Sequence, residues 1–363
     1  MAQPTPTTPG SPSRDLAPWA AAARDLGPAA AVVLGFIVAG FLLQRFWPQP
    51  GLMRPLGYAP SFVLFPFVGL YAVALVVTRY RWRQRGEGHW RSGAAGWRAA
   101  WAEARAGAIP PARLARLGLA CLFLPLLLNT FGCFKTAIPW WRGFAREEAL
   151  LRLSRDLHGG VLEWYPLQAV AGHPVLTLAL DRIYFTWLPV FVVVVVWQAG
   201  WREPAREWRR FMLALTLVWL GLGAVAATAG ASAGPIFTDR VLPDSDAYAP
   251  LFRYLAAVEP RFHLVTLDVR DLLWAAHETR SPNPFTGISA FPSIHVAMAA
   301  LYVPALWRGS RRLALAAAGY AALIALASVH LGWHYAVDAY AGAAGAALCW
   351  LAAGLLTRRS GHV

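Results

Sequence analysis

Three histidines and an aspartate crowd into the last quarter of the chain: His295 in GISAFPSIHVA, then His330, His334 and Asp338 in SVHLGWHYAVDAYAG. Ionisable groups within apolar runs are costly, which makes each of them a candidate for chemistry. His334 and Asp338 are four residues apart, so they share one side of a helix if the helix has begun by then. A carboxylate within hydrogen-bond reach fixes one imidazole tautomer and leaves the other ring nitrogen free as a nucleophile. A second histidine facing it can protonate a leaving oxygen. Such a pair suits phosphoryl transfer through a phosphohistidine, provided that cations or backbone N–H groups neutralise the phosphate. Two other readings use the same residues. His330, His334 and Asp338, at intervals of four, could form a metal face, although Gly332 interrupts the helix that would carry it. In a transporter or scaffold, the histidines would only satisfy hydrogen bonds between helices.

The elements that must position these groups follow from composition. Of 363 residues, 57% are hydrophobic and 14% charged, against about 25% charged in soluble domains. Apolar runs of spanning length recur along the chain, and they are continuous rather than alternating, which excludes an outer-membrane barrel. With no water to satisfy the backbone, the spans must be helices. The expected fold is an all-α, polytopic integral membrane bundle of eight transmembrane helices, at about 28–47, 60–78, 114–134, 183–200, 211–230, 290–307, 313–330 and 335–356. Residues 1–26, opening with QPTPTTPGSPS, read as a disordered tail. Residues 27–113 hold two helices and a basic cytoplasmic loop, and 357–363 a cytoplasmic tail.

The formal charge of +14 argues orientation, not nucleic-acid binding, for which no fold signal exists. Arginines gather in the tail, in 79–113 (Arg79, Arg81, Arg83 and Arg85 among them), in 201–210 and in 308–312. The positive-inside tendency then places both termini in the cytoplasm, as expected for a protein of a bacterial inner membrane. His295, His330 and His334 meet at the outer face. Two long outer segments, 135–182 and 231–289, fold against the membrane surface. The first contains REEALLRLSRDLHGG, whose Leu150, Leu153 and Leu157 recur at the spacing of an interfacial amphipathic helix. Cys121, Cys133 and Cys349 lie in apolar runs without metal-ligand spacing.

FPSIH, followed 39 residues after His295 by the second histidine of HLGWHYAVD, resembles the paired motifs of the type-2 phosphatidic acid phosphatase superfamily. The resemblance extends over about 114–356 and implies a six-helix core there. It implies His295 as general acid, His334 as nucleophile and Asp338 as the group that orients it, with Ser293 at the phosphate. The substrate implied is a phosphorylated lipid in the bilayer, with neither cofactor nor metal. Nothing in the sequence specifies an oligomeric state. Two departures narrow the branch: Ile294 replaces the usual glycine of Pro-Ser-Gly-His, and Ala327-Ser328 replaces the usual Ser-Arg. Both resemble the inositol-phosphorylceramide synthase-like branch, which transfers a phosphoryl head group between lipids.

The missing arginine leaves a phosphate ligand to be supplied from elsewhere. Lys135, the one lysine against 32 arginines, and Arg240 with the backbone of Gly234 in ASAGPIFTDR are the candidates. Arg280 is a weaker third. A separate likeness, of Gly287-Ile288-Ser289-Ala290 to the nucleophile segment of rhomboid intramembrane proteases, would make Ser289 a nucleophile. It would leave Pro292, His295 and Asp338 without roles.

Overall fold

The computed structural model describes residues 13–46, 52–64, 110–201 and 205–359. Among these the regular structure is helical, with no strand. The helices are α1 (Ser13–Phe46), α2 (Pro111–Arg142), α3 (Glu147–Leu157), α4 (Trp164–Ala171), α5 (Pro174–Phe185), α6 (Trp187–Trp201), α7 (Ala205–Thr216), α8 (Ala249–Val258), α9 (Val265–Glu278), α10 (Ile294–Trp307), α11 (Arg311–His330) and α12 (Ala336–Arg359). α7 continues through a π-helical stretch, Leu217–Ala226, to Ala229. Local chemistry sets several starts. α2 and α5 open on Pro111 and Pro174, whose missing N–H is no loss in a first turn. Ser310 accepts the N–H of Leu313 to cap α11.

Among the described residues five helices are long and apolar enough to cross a bilayer: α1, α2, α7 with its continuation, α11 and α12. The bent pair α5–α6, which meets at 41°, is apolar enough to make a sixth if its two halves form one span. The bundle is thus the all-α membrane architecture expected, with differences in detail. The span expected at 183–200 begins at Pro174 and breaks at Thr186. Pro189 in the first turn of α6 has no N–H to carry the ladder across. The span expected at 290–307 is helical only from Ile294, fourteen residues or about 21 Å, short of a hydrocarbon core of about 30 Å. Residues 13–26, expected within the tail, form the first turns of α1. The second expected span and the arginine loop after it lie almost wholly outside the described residues.

One core runs through the membrane between α1, α2, α6, α7, α10, α11 and α12. A second sits at one end, where α3, α4, α5 and α8 close over the turn between α11 and α12. The other end of the bundle is tied by charge. Arg209 pairs with the buried Asp25 at 2.7 Å and Arg308 with Glu207 at 2.9 Å, while Arg210 lies 3.9 Å over the Trp350 ring. α3 is amphipathic, as its spacing predicts. Its buried side carries Glu147, Leu150 and Ser154, whereas Leu153 and Leu157 are exposed.

Candidate active site

α10 and α12 begin side by side. Ser293 caps α10, accepting the Val296 N–H at 3.4 Å, and donates its own N–H to the Asp338 carbonyl at 3.0 Å. Gly342 permits this approach: a Cβ there would stand 2.3 Å from the Ser293 carbonyl oxygen. Before α12 the chain turns tightly around one carbonyl, Ser328, which accepts the N–H groups of Trp333 and His334 at 2.8 and 3.2 Å. Gly332 makes the turn with φ +75°, a conformation that suits glycine. His334 therefore sits in the turn rather than on α12, as the spacing alone allowed. The Asp338 carboxylate reaches back to the Tyr335 N–H at 3.0 Å, the acidic half of a capping box.

These contacts bring His295 and His334 together, with ring centroids 6.1 Å apart. His334 Nδ1 stands 3.5 Å from Asp338 Oδ2, an ion-pair distance longer than a good hydrogen bond. His295 Nδ1 is 3.0 Å from the hydroxyl of Tyr184, a residue that sequence reasoning passed over. Nothing in the run RIYFTWLP marks it, because its partner is 111 residues away. The Trp187 ring meets His295 edge-on at 5.0 Å.

Both histidines line a cavity of about 300 Å³. Its walls are mainly apolar, among them Leu128, Phe131, Phe185, Trp219, Phe237 and Phe285. Part of the wall is the irregular segment 284–290. The segment lies hard against α2: a Cβ on Gly132 would meet Pro284 at 2.1 Å, and one on Gly287 would meet the Lys135 backbone at 2.8 Å.

Lys135 is the cation among the described lining residues, its Nζ 5.8 Å from the Phe131 centroid. No carboxylate of the described residues pairs with it. Arg240 is elsewhere, pairing with Asp271 at 3.4 Å and lying over Trp274. The Gly234 N–H is taken by Glu147. Arg280 lies 4.0 Å over the Trp140 ring, outside the lining. The Ser293 side chain is buried in its capping role and does not line the cavity either. His330 points to Thr177, 2.9 Å away. Among the described residues no three His, Cys, Asp or Glu side chains gather as a metal site, so the spacing of four does not become a ligand face. Ser289 lines the cavity, but its Oγ has no hydrogen-bond partner among the described residues. The serine–histidine contact of the protease reading is not formed.

Two carboxylates outside the spans brace the turn that carries His334. Glu147 accepts the N–H groups of Ala233 and Gly234 and the hydroxyl of Tyr335, at 2.5, 3.1 and 2.7 Å. Burial holds its carboxyl above the ordinary range, although these three bonds pull the other way. Glu163 accepts the Tyr248 hydroxyl at 2.9 Å and the first N–H of α12, from Ala336, at 3.1 Å. Neither was legible as a site residue, because each is distant in sequence from what it supports.

An all-helical membrane bundle with a His–His–Asp cluster over an apolar cavity is the class that fold and site define. The family model of the PAP2 superfamily matches residues 148–352, more than half of the chain. The chain belongs to that superfamily, whose members act on phosphoryl groups. The match starts later than the 114 expected, so α2 and Lys135 lie outside it. No curated protein and no solved structure matches the chain.

Proposed function

We propose that this protein is a lipid phosphatase or phosphotransferase that works through a phosphohistidine. The observation that carries the reading is one arrangement: two imidazoles 6.1 Å apart facing an apolar cavity, with a lysine whose charge no described carboxylate balances. An ammonium without a counter-ion in such a setting calls for an anionic ligand. The apolar walls suit a lipid chain continuous with it. His334 attacks phosphorus while Asp338 stabilises the positive charge that develops on the ring. His295 gives its proton to the leaving oxygen and then takes one from the acceptor. Lys135 holds the phosphate, in place of the arginine that the family motif would supply. Ser293 and Asp338 together hold the two helix starts in register, and no cofactor enters the scheme.

The acceptor is water in a phosphatase and a lipid hydroxyl in a transferase. The departures at Ile294 and Ala327-Ser328 favour transfer, as in the inositol-phosphorylceramide synthase-like branch. The site lies at the end of α10 away from Arg308, Arg209 and Arg210, which supports an extracytoplasmic position in a bacterial inner membrane. The test is a panel of phospholipids labelled at phosphorus, offered to the purified protein with and without hydroxyl lipids, and with and without chelator. The reading expects label to leave the donor and to be trapped on His334, unaffected by chelator. Absence of a labelled protein intermediate under rapid quench would defeat it.

A further inference from the structure

We infer that Tyr184 is a positioning residue for His295, holding Nδ1 so that Nε2 alone exchanges protons with substrate; this rests on the role proposed above for His295. Tyr184 is fully buried, and among the described residues His295 Nδ1 is its hydroxyl's one hydrogen-bond partner, at 3.0 Å. The phenol ring cannot swing away. It lies parallel to the Trp333 indole, 8° apart in plane and 6.0 Å in centroid, and contacts the imidazole at 5.0 Å. Trp333 is itself fixed, donating its indole N–H to Thr266 at 3.2 Å. Its neighbour in the chain is His334. One clamp thus sets both reacting rings. His295 Nε2 has no partner among the described residues and is the nitrogen left for substrate.

The two histidines have partners of different chemistry. A carboxylate stabilises positive charge on a ring, which suits the residue that becomes a phosphohistidine. A phenol is neutral and can accept a hydrogen bond without holding the ring charged. As an imidazolium, His295 donates Nδ1–H to the Tyr184 oxygen. The bond from phosphorus to His334 forms, the bond from phosphorus to the leaving oxygen breaks, and the Nε2 proton passes to that oxygen. Nδ1–H stays on Tyr184, so the lone pair is left on Nε2. That lone pair takes the proton of the water or hydroxyl that attacks phosphorus, the bond to His334 breaks, and the imidazolium is restored.

The test compares Tyr184→Phe, which keeps the ring and its stacking, with His295→Ala and the parent protein in detergent micelles. Two probes are used: phosphatidic acid, whose alkoxide leaving group needs a proton, and 4-nitrophenyl phosphate, whose leaving group does not. For Tyr184→Phe, kcat on phosphatidic acid is expected to fall about 10-fold or more, with KM within about twofold. The alkaline limb of the pH profile moves to lower pH. Phosphoryl-enzyme formation from 4-nitrophenyl phosphate stays within about threefold of the parent, and thermal unfolding is unchanged. Equal losses on both probes, a change in KM alone, or no loss would overturn the inference. If His295→Ala discriminates between the probes and Tyr184→Phe does not, the role of Tyr184 falls and the proposed function stands. If His295→Ala fails to discriminate, or the parent turns over neither probe, the proposed function falls and takes the inference with it.

Discussion

At the scale of single residues, the roles proposed here separate groups that act from groups that support. His334→Ala and His295→Ala are each expected to lower turnover by about 10²–10⁴, while the protein elutes and unfolds as the parent does. Retention of activity by either variant would remove that residue from the chemistry. The cations make a sharper contrast. Lys135 faces the cavity, whereas Arg240 is engaged with Asp271 and Trp274 outside it. Lys135→Ala should weaken substrate binding and turnover together, by about 10-fold or more. Arg240→Ala removes a partly exposed pair worth at most about 1 kcal/mol and should leave turnover near normal. Steady-state kinetics on phosphatidic acid decides this; a reversed pattern would move the phosphate to the Arg240 side.

At the scale of elements, the site depends on how closely helix starts approach one another. Gly342→Ala places a Cβ against the Ser293 carbonyl, and such overpacking costs about 1–3 kcal/mol. The variant should lose stability and also turnover, because moving α12 moves Asp338 and the His334 turn relative to His295. Thermal unfolding and kcat measured on one preparation check both. α3 contributes through Glu147, whose carboxyl burial raises above its ordinary value of 4.5. In the window between the unfolded and the raised folded value, the native state keeps a proton that the unfolded chain has lost. That stabilising contribution is complete below the ordinary value and is lost as pH rises through the folded one. Glu147→Gln keeps an acceptor for Ala233 and Gly234 and has no proton to lose. It should therefore flatten the fall in stability on the acid side of neutrality, read by unfolding temperature against pH in detergent. An unchanged slope would assign that dependence to another group.

At the scale of the whole molecule, the bundle has a charged end, where Asp25, Glu207, Arg209 and Arg308 pair, and an end that carries the proposed site, closed by α3, α4, α5 and α8. The fourteen residues of α10 separate the two. The orientation proposed above keeps the positive charge in the cytoplasm and the cavity outside. Single cysteines introduced for Asp244, in the loop before α8, and for Gly309, in the turn before α11, report on this directly. A membrane-impermeant thiol reagent applied to intact cells should label Asp244→Cys and spare Gly309→Cys until the membrane is opened. The opposite pattern would put the chemistry in the cytoplasm.

Much of this was legible in the chain alone. Apolar runs determine spanning helices because lipid offers the backbone no other partner, and the paired motifs marked His295, His334 and Asp338 because charge is rare in such runs. Ser293 and Asp338 were read for chemistry, and only the structure shows that each also caps a helix start. Tertiary structure decided what depends on distant segments. The spacing of His334 and Asp338 would give one helix face only if the helix had begun by His334, and Gly332 turns the chain so that only Asp338 lies on the helix. Lys135 and Arg240 looked alike as candidates, and packing alone put one in the cavity and the other beside Asp271. Tyr184, Glu147 and Glu163 carry no local signal, because their partners lie 111, 188 and 173 residues away. A hydrogen bond needs two atoms to meet at about 3 Å, and over such separations it is the packing of the bundle that makes them meet.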